Sequence, residues 1–224
     1  MADVARIGPN AILQHLPVLD AAIGEALRGA LLYRAGVDEP PADAGMLPED
    51  DVARLHHAVR LYLPDRFSEI QRAAGKATGD YILAHRIPQL AQRLIRALPA
   101  WAGARLLSSA IAKHAWTFAG SGVFRIVSHR PLVFEIAQNP LARGPSEIPI
   151  CDWHSAVFAQ LFGALVWKDV EVTELECSAT GARSCRFQIL SGHLRETRPS
   201  CGKKDGVYPV PQSVTSIYPA PRTV

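Results

Sequence analysis

Cys151, Glu174, Cys177 and Cys185 are the residues whose types and spacing first suggest chemistry, and that chemistry is metal binding. Cys177 and Cys185 are equidistant from Gly181, in a stretch where Ala-Thr-Gly-Ala separates two strand-like runs. In a hairpin turning at that glycine they would face each other across the strands, with Cβ atoms about 4.5 to 5.5 Å apart. Two thiolates held that close suit a soft, tetrahedral ion such as zinc. Cys151 would join them from the start of the preceding helix, where the partial positive charge of the helix terminus favours a thiolate. Glu174 is the natural fourth ligand. A regular strand sends positions three apart to opposite faces, so a bulge or a strand end is required to bring it in. Spacing leaves two alternatives open: buried, inert thiols and, in an oxidising compartment, a disulfide across the hairpin pair. An iron–sulfur cluster would have to recruit Cys201 as its fourth thiolate.

A second set of residues suits an apolar ligand. His114, Trp116, Phe118, Phe124 and Phe134 cluster in sequence around a helix-to-sheet junction, and Trp153, His154 and Phe158 follow Cys151 on one helix. Aromatic walls around an apolar slot, with His114 or His154 as an axial nitrogen ligand, are what a planar pigment would require. Core packing is the competing role for each aromatic. His56 and His57 read as part of a solvated helix. Reductant motifs are weak: Gly120-Ser121-Gly122 continues as strand without a third glycine and reads as a turn, and Gly75-Lys76-Ala77-Thr78 reads as ordinary helix.

The elements that must position these groups can be read from periodicity. After Pro17 a helical pattern runs through Leu19, Ile23, Leu27 and Leu31 to a stop at Gly36, and Val37 to Leu47 reads as a loop. Pro48 and Pro64 open two further helices. Pro88 and Pro99 bracket two more, ending near His114. From Ala115 the pattern becomes AWTFA, VFRIV and LVFEIA, read as three short strands, then a helix from Cys151 to Leu165 and two closing strands. The expected fold is α+β, with N-terminal helices (1–114) packed on a mainly antiparallel sheet (115–190) as one globule, followed by a flexible tail (191–224).

The 224 residues suffice for a core, and 48% hydrophobic with 20% charged residues is an ordinary globular composition. A formal net charge of +3, with arginines spread along helices, gives nucleic-acid binding no support. No apolar run reaches the roughly 18 residues of a membrane span, and the N-terminus lacks an export pattern. The expectation is a cytoplasmic protein, at most peripheral to a membrane.

The order of a helix-opening Cys151, then Glu174 and Cys177 three apart, then Cys185 before Phe187 resembles the 4-vinyl-reductase domain family. This small-molecule-binding fold is related to haem-based nitric-oxide sensors and to Golgi-tether subunits. In aromatic-sensing activators carrying the domain the four positions hold structural zinc, so the resemblance implies zinc on Cys151, Glu174, Cys177 and Cys185. The segments GPNAI, HAWTFAGSGVFRIV and CDWHSAVFAQLF resemble the branch that serves bacteriochlorophyll synthesis in phototrophic bacteria, from about residue 5 to about residue 190. The resemblance implies a porphyrin or Mg-porphyrin ligand such as divinyl protochlorophyllide, a place near the photosynthetic membrane, and magnesium chelatase and Mg-protoporphyrin methyltransferase as partners. Its activity would be pigment delivery. The alternatives are reduction of the 8-vinyl (4-vinyl) group, or a sensor or adaptor that forms a homodimer through its N-terminal helices.

Overall fold

In the computed structural model, residues 4–192 are described. Residues from 193 onward, Cys201 included, lie outside the described residues. A short strand β1 (Arg6–Ile7) leads into a single turn α1 (Asn10–Leu13), then α2 (His15–Ile23) and α3 (Glu25–Ala35). The helix expected to run unbroken to Gly36 is therefore split. Gly24 adopts φ +82°, a backbone state that ends α2 and redirects the chain into α3. Gly36, at φ +62°, closes α3 with a left-handed cap.

The segment from Val37 is a loop, as expected, and ends in β2 (Leu47–Pro48), which pairs antiparallel with β1. Next, α4 (Glu49–Tyr62) starts behind Pro48 with three acidic residues facing the positive helix end, and buries Val52, Leu55 and Val59 on one side. His56 lies on this buried side, only 5% exposed, and not in a solvated face as its sequence surroundings suggested. Its Nε2 lies 3.2 Å from the Ala11 carbonyl oxygen.

The long helix α5 (Phe67–His85) is followed by α6 (Gln89–Ala97) and α7 (Ala100–Lys113), entered behind Pro88 and Pro99. The AWTFA segment is not a strand. Trp116–Ala119 forms the helical turn α8, because local bonds from Thr117 N–H to His114 O and Ala119 N–H to Ala115 O extend the end of α7. The chain then enters β3 (Val123–His129) and β4 (Leu132–Ala137), crosses to α9 (Asp152–Leu165), and closes with β5 (Val170–Glu176) and β6 (Ser184–Ser191). The sheet order is β3-β4-β6-β5, antiparallel throughout.

Helix α9 is wedged between this sheet and α5. Its two neighbours explain why it is apolar on more than one side: Trp153, Val157, Phe158, Leu161, Phe162 and Leu165 are all buried. Phe158 meets Phe134 of β4 and Phe187 of β6 edge-on, with ring centroids 5.1 and 5.5 Å away. On the opposite side α5 comes unusually close. A Cβ on Gly75 would lie 2.4 Å from the Trp153 carbonyl oxygen, and one on Gly79 would lie 2.6 Å from the Gln160 side chain. These glycines are packing residues.

Candidate functional site: a cysteine cluster beside an aromatic cavity

The order of Cys177, Gly181 and Cys185 builds one half of the cluster. Ser178–Thr180 form a single 3-10 turn, and Gly181 takes φ +93°, reversing the chain into β6. The β5–β6 register shifts between Glu174 and Glu176, from Glu174 opposite Phe187 to Glu176 opposite Arg186. This irregularity is the bulge that Glu174 required. It lets Glu174 and Cys177, three apart, turn the same way. The other half is the start of α9, where Cys151 occupies the N-cap position.

The four side chains converge. One ligand atom from each of Cys151, Glu174, Cys177 and Cys185 lies within 4.8 Å of the others. The Cys151 Sγ is 3.5 Å from Cys185 Sγ and 3.9 Å from Cys177 Sγ. A tetrahedral ion bound at Zn–S distances of about 2.3 Å would space its sulfurs about 3.8 Å apart. Glu174 Oε2 accepts a hydrogen bond from Cys151 N–H at 2.9 Å, while its Oε1 is buried without a partner. An orphan carboxylate oxygen beside three free thiols is a donor set that fits a cation. Four protein ligands would leave no open position for a substrate.

The surroundings favour negative charge on sulfur. Asn139 Nδ2 lies 3.4 Å from Cys151 Sγ and 3.5 Å from Cys185 Sγ, and Ser178 N–H points at Cys185 Sγ from 3.4 Å. Hydrogen bonds from Cys151 and Cys177 hold the Cys185 thiol far below its ordinary range. Cys151 is pushed well up, because it shares hydrogen bonds with the other two sulfurs and is buried. Burial also raises Glu174. Asn139 is missing from any reading of the cysteine spacing. Its signal was the Asn-Pro pair: its Oδ1 accepts from Leu141 N–H at 3.1 Å, which leaves the amide nitrogen facing the sulfurs.

Along α9 from Cys151, starting at Trp153, lies a cavity of about 590 Å³, within the size range of sites for small molecules and cofactors. Its walls come from the Gly8–Ala11 segment, the 44–46 loop, and α5, α7, α8 and α9. Five of the eight aromatic and histidine candidates line it: His114, Trp116, Phe118, Trp153 and Phe158. The other three stand behind the wall. Phe124 packs on Phe118 and Phe134, Phe134 is fully buried in the sheet, and His154 is buried with Nε2 3.4 Å from the Phe118 carbonyl oxygen. Burial lowers His154 to about 4, so it is a neutral core residue. His114, by contrast, is exposed at the end of α7, and its ring makes no hydrogen bond among the described residues.

A family profile described as the V4R domain matches residues 132–191, the span that holds β4, α9 and all four members of the cysteine cluster. Over 186 residues the chain is 59% identical to the bacteriochlorophyll synthase 23 kDa chain of Cereibacter sphaeroides, across 83% of this chain and 90% of the relative. The chain belongs to the bacteriochlorophyll synthase 23 kDa chain family. A second member of that family, from Rhodobacter capsulatus, is 48% identical over 198 residues, covering 88% of this chain and 93% of the relative. Among solved structures, an Fe(II) unliganded H-NOX protein mutant from K. algicida superposes with a TM-score of 0.51 at 8% identity, covering 82% of this chain and 95% of that one. That likeness is one of fold alone. It agrees with the α+β, nitric-oxide-sensor-like architecture expected for this family member.

Proposed function

We propose that this protein serves bacteriochlorophyll biosynthesis by binding a magnesium porphyrin, such as divinyl protochlorophyllide, in the cavity beside α9 and delivering it to the enzymes of the pathway. The observation that carries the reading is the cavity itself: an apolar, aromatic-walled space in a bacteriochlorophyll synthase 23 kDa chain family member. Phe118, Trp153 and Phe158 supply flat apolar contact, and His114 offers a ring nitrogen for the axial position of a bound magnesium. Magnesium chelatase and Mg-protoporphyrin methyltransferase are the proposed neighbours in delivery.

Zinc on Cys151, Glu174, Cys177 and Cys185 has a mechanical role in this proposal. The cluster ties the start of α9 to the β5–β6 turn, and α9 forms one wall of the cavity. Holding α9 in register keeps Trp153 and Phe158 in place.

The Gly120-Ser121-Gly122 turn and the Gly75 segment are engaged in the fold. Ser121 N–H donates to Glu49 Oε2 at 2.7 Å and Ser121 Oγ to Glu49 Oε1 at 2.8 Å, so the Gly-Ser-Gly turn already faces a carboxylate. Gly75 faces the α9 backbone. These features favour delivery over vinyl reduction by this chain alone. The test is purified protein mixed with divinyl protochlorophyllide. The absorption bands should shift, and the vinyl group should stay intact after NADPH or a reduced electron donor is added. Stoichiometric conversion to the monovinyl pigment would overturn the proposal in favour of the enzyme reading.

A further inference from the structure

The cavity lining contains one permanently charged side chain, Arg86, and no Asp or Glu among the described residues. Thr78, Ile82 and Arg86 follow one another at four-residue spacing on α5 and at its end, so they share the face turned to the cavity. Six other arginines, Arg28, Arg54, Arg66, Arg72, Arg143 and Arg186, lie in ion pairs with carboxylates. Among the described residues Arg86 makes no ion pair. Its guanidinium lies 5.7 Å from the centre of the Tyr81 ring, which orients the fork without occupying its N–H donors. Trp153, deeper in the wall, also has an indole N–H that is buried without a partner. An apolar space with donors and no anionic acceptor is complementary to an apolar acid.

We infer that Arg86 binds a free carboxylate of the cavity's ligand, so that the protein selects tetrapyrrole acids over their fully esterified forms. This rests on the porphyrin reading above. A guanidinium fork matches a carboxylate with two parallel hydrogen bonds, whereas an ester offers a neutral carbonyl oxygen and no charge. The test titrates Mg-protoporphyrin and its dimethyl ester into the parent, Arg86→Gln and Arg86→Lys, following the Soret band. The parent should bind the acid about ten-fold or more tighter than the ester, and Arg86→Gln should remove most of that difference by weakening the acid alone, with Arg86→Lys between them. Equal affinity of the parent for both compounds, or equal losses for both in Arg86→Gln, would overturn the inference while leaving the porphyrin site standing. If neither compound binds the parent, the porphyrin reading falls, and the inference with it.

A different observation carries a second inference. From Tyr81 to Phe134 the chain holds no Asp or Glu, but it holds Arg86, Arg93, Arg96, Arg105, Lys113, Arg125 and Arg130. All seven are exposed, and none makes an ion pair among the described residues. Interleaved with them on α6 and α7 are Leu90, Leu94 and Trp101, exposed by 76%, 56% and 58%. The α7 residues Leu107, Ala110 and Ile111 line the cavity, so this basic, apolar surface adjoins it.

The geometry points to the α6–α7 face as a docking surface for an anionic lipid bilayer, which would bring the cavity to where apolar pigments reside. Leucines and a tryptophan set among cations fit the headgroup boundary, and the four like charges of α6 and α7, Arg93, Arg96, Arg105 and Lys113, disfavour a second copy on the same face. The full chain should sediment with vesicles of equal phosphatidylcholine and phosphatidylglycerol, not with phosphatidylcholine alone, and less so as salt is raised. The combined Leu90→Ser, Leu94→Ser, Trp101→Ser variant should stay in solution with an unchanged melting temperature. Sedimentation of that variant equal to the parent's, or no sedimentation of the parent, would overturn the inference. So would a dimer in solution that the same substitutions dissociate, since it would assign the face to a second copy.

Discussion

Replacing Gly75 with alanine sets two effects of opposite sign against each other, and the structure decides between them. In an exposed helix interior, Gly→Ala stabilises by about 1 kcal/mol, because alanine has less backbone freedom to lose. At Gly75 the new methyl group would lie 2.4 Å from the Trp153 carbonyl oxygen and 2.8 Å from Ala156 Cβ, both on α9. Neither neighbour is the end of a flexible side chain, so α5 and α9 must separate. Overpacking of this kind costs about 1 to 3 kcal/mol, and here it also strains the helix that joins the cluster to the cavity. Net destabilisation of up to about 2 kcal/mol is expected, or a fall in melting temperature of up to about 8 °C for a chain of this size. Gly29 provides the control. It lies within α3 with nothing within 4 Å of its Cβ position, so Gly29→Ala should raise the melting temperature by about 1 to 4 °C. Scanning calorimetry of the two variants beside the parent reads both signs. A rise for Gly75→Ala equal to that of Gly29→Ala would refute the close α5–α9 packing.

Three further outcomes are expected. His15 and His56 are buried against each other, with ring centroids 4.5 Å apart and the rings tilted by 59°, and burial lowers His15 to about 4 and His56 well below its usual value. Their folded values lie below the unfolded one, so stability is full above pH 6.5 and falls as the pH drops toward 4. Urea midpoints measured from pH 6.5 to 5.5 should report a loss of about 1 kcal/mol for each histidine, and a flat profile would contradict their neutral burial. Glu49 is buried and holds the Ser121 N–H, the Ser121 hydroxyl and Arg143, so Glu49→Ala should cost about 2 to 3 kcal/mol in urea unfolding, with Glu49→Gln costing less. Elemental analysis should find zinc in the parent and little in Cys177→Ala, which should also melt lower. Equal zinc in both would remove Cys177 from the ligand set.

How legible the molecule was in its sequence depended on whether a signal was local. The closing hairpin was readable because Gly181 and the spacing of Cys177 and Cys185 are local, and strand alternation required a bulge or a strand end if Glu174 was to join them, of which β5 contains the bulge. The breaks behind Pro48, Pro88 and Pro99 were readable for the same reason. Gly24 was not, since a glycine within an otherwise periodic run states neither its φ nor whether the helix continues. AWTFA has strand-like composition, and only its attachment to the end of α7 makes it helical. His56 sits beside exposed His57 and borrowed its polar look, while the buried face of α4 claimed it. Which aromatics line the cavity and which back it is a property of layer order, invisible in a list of Phe and Trp. The basic face was hidden because its signal is the missing carboxylates over a long stretch, and not any cluster of arginines.

The central claim is that the cavity beside α9 is the pigment site. Ala110 lines it from the exposed side of α7, where a larger side chain can project into the cavity without disturbing the core. Mg-protoporphyrin titrated into the parent and into Ala110→Trp, at matched melting temperatures and followed by the Soret band, tests the claim directly. One-to-one binding by the parent and a loss of about ten-fold or more in the filled variant is the predicted result. Equal affinity in the two proteins would place the pigment elsewhere and contradict the account.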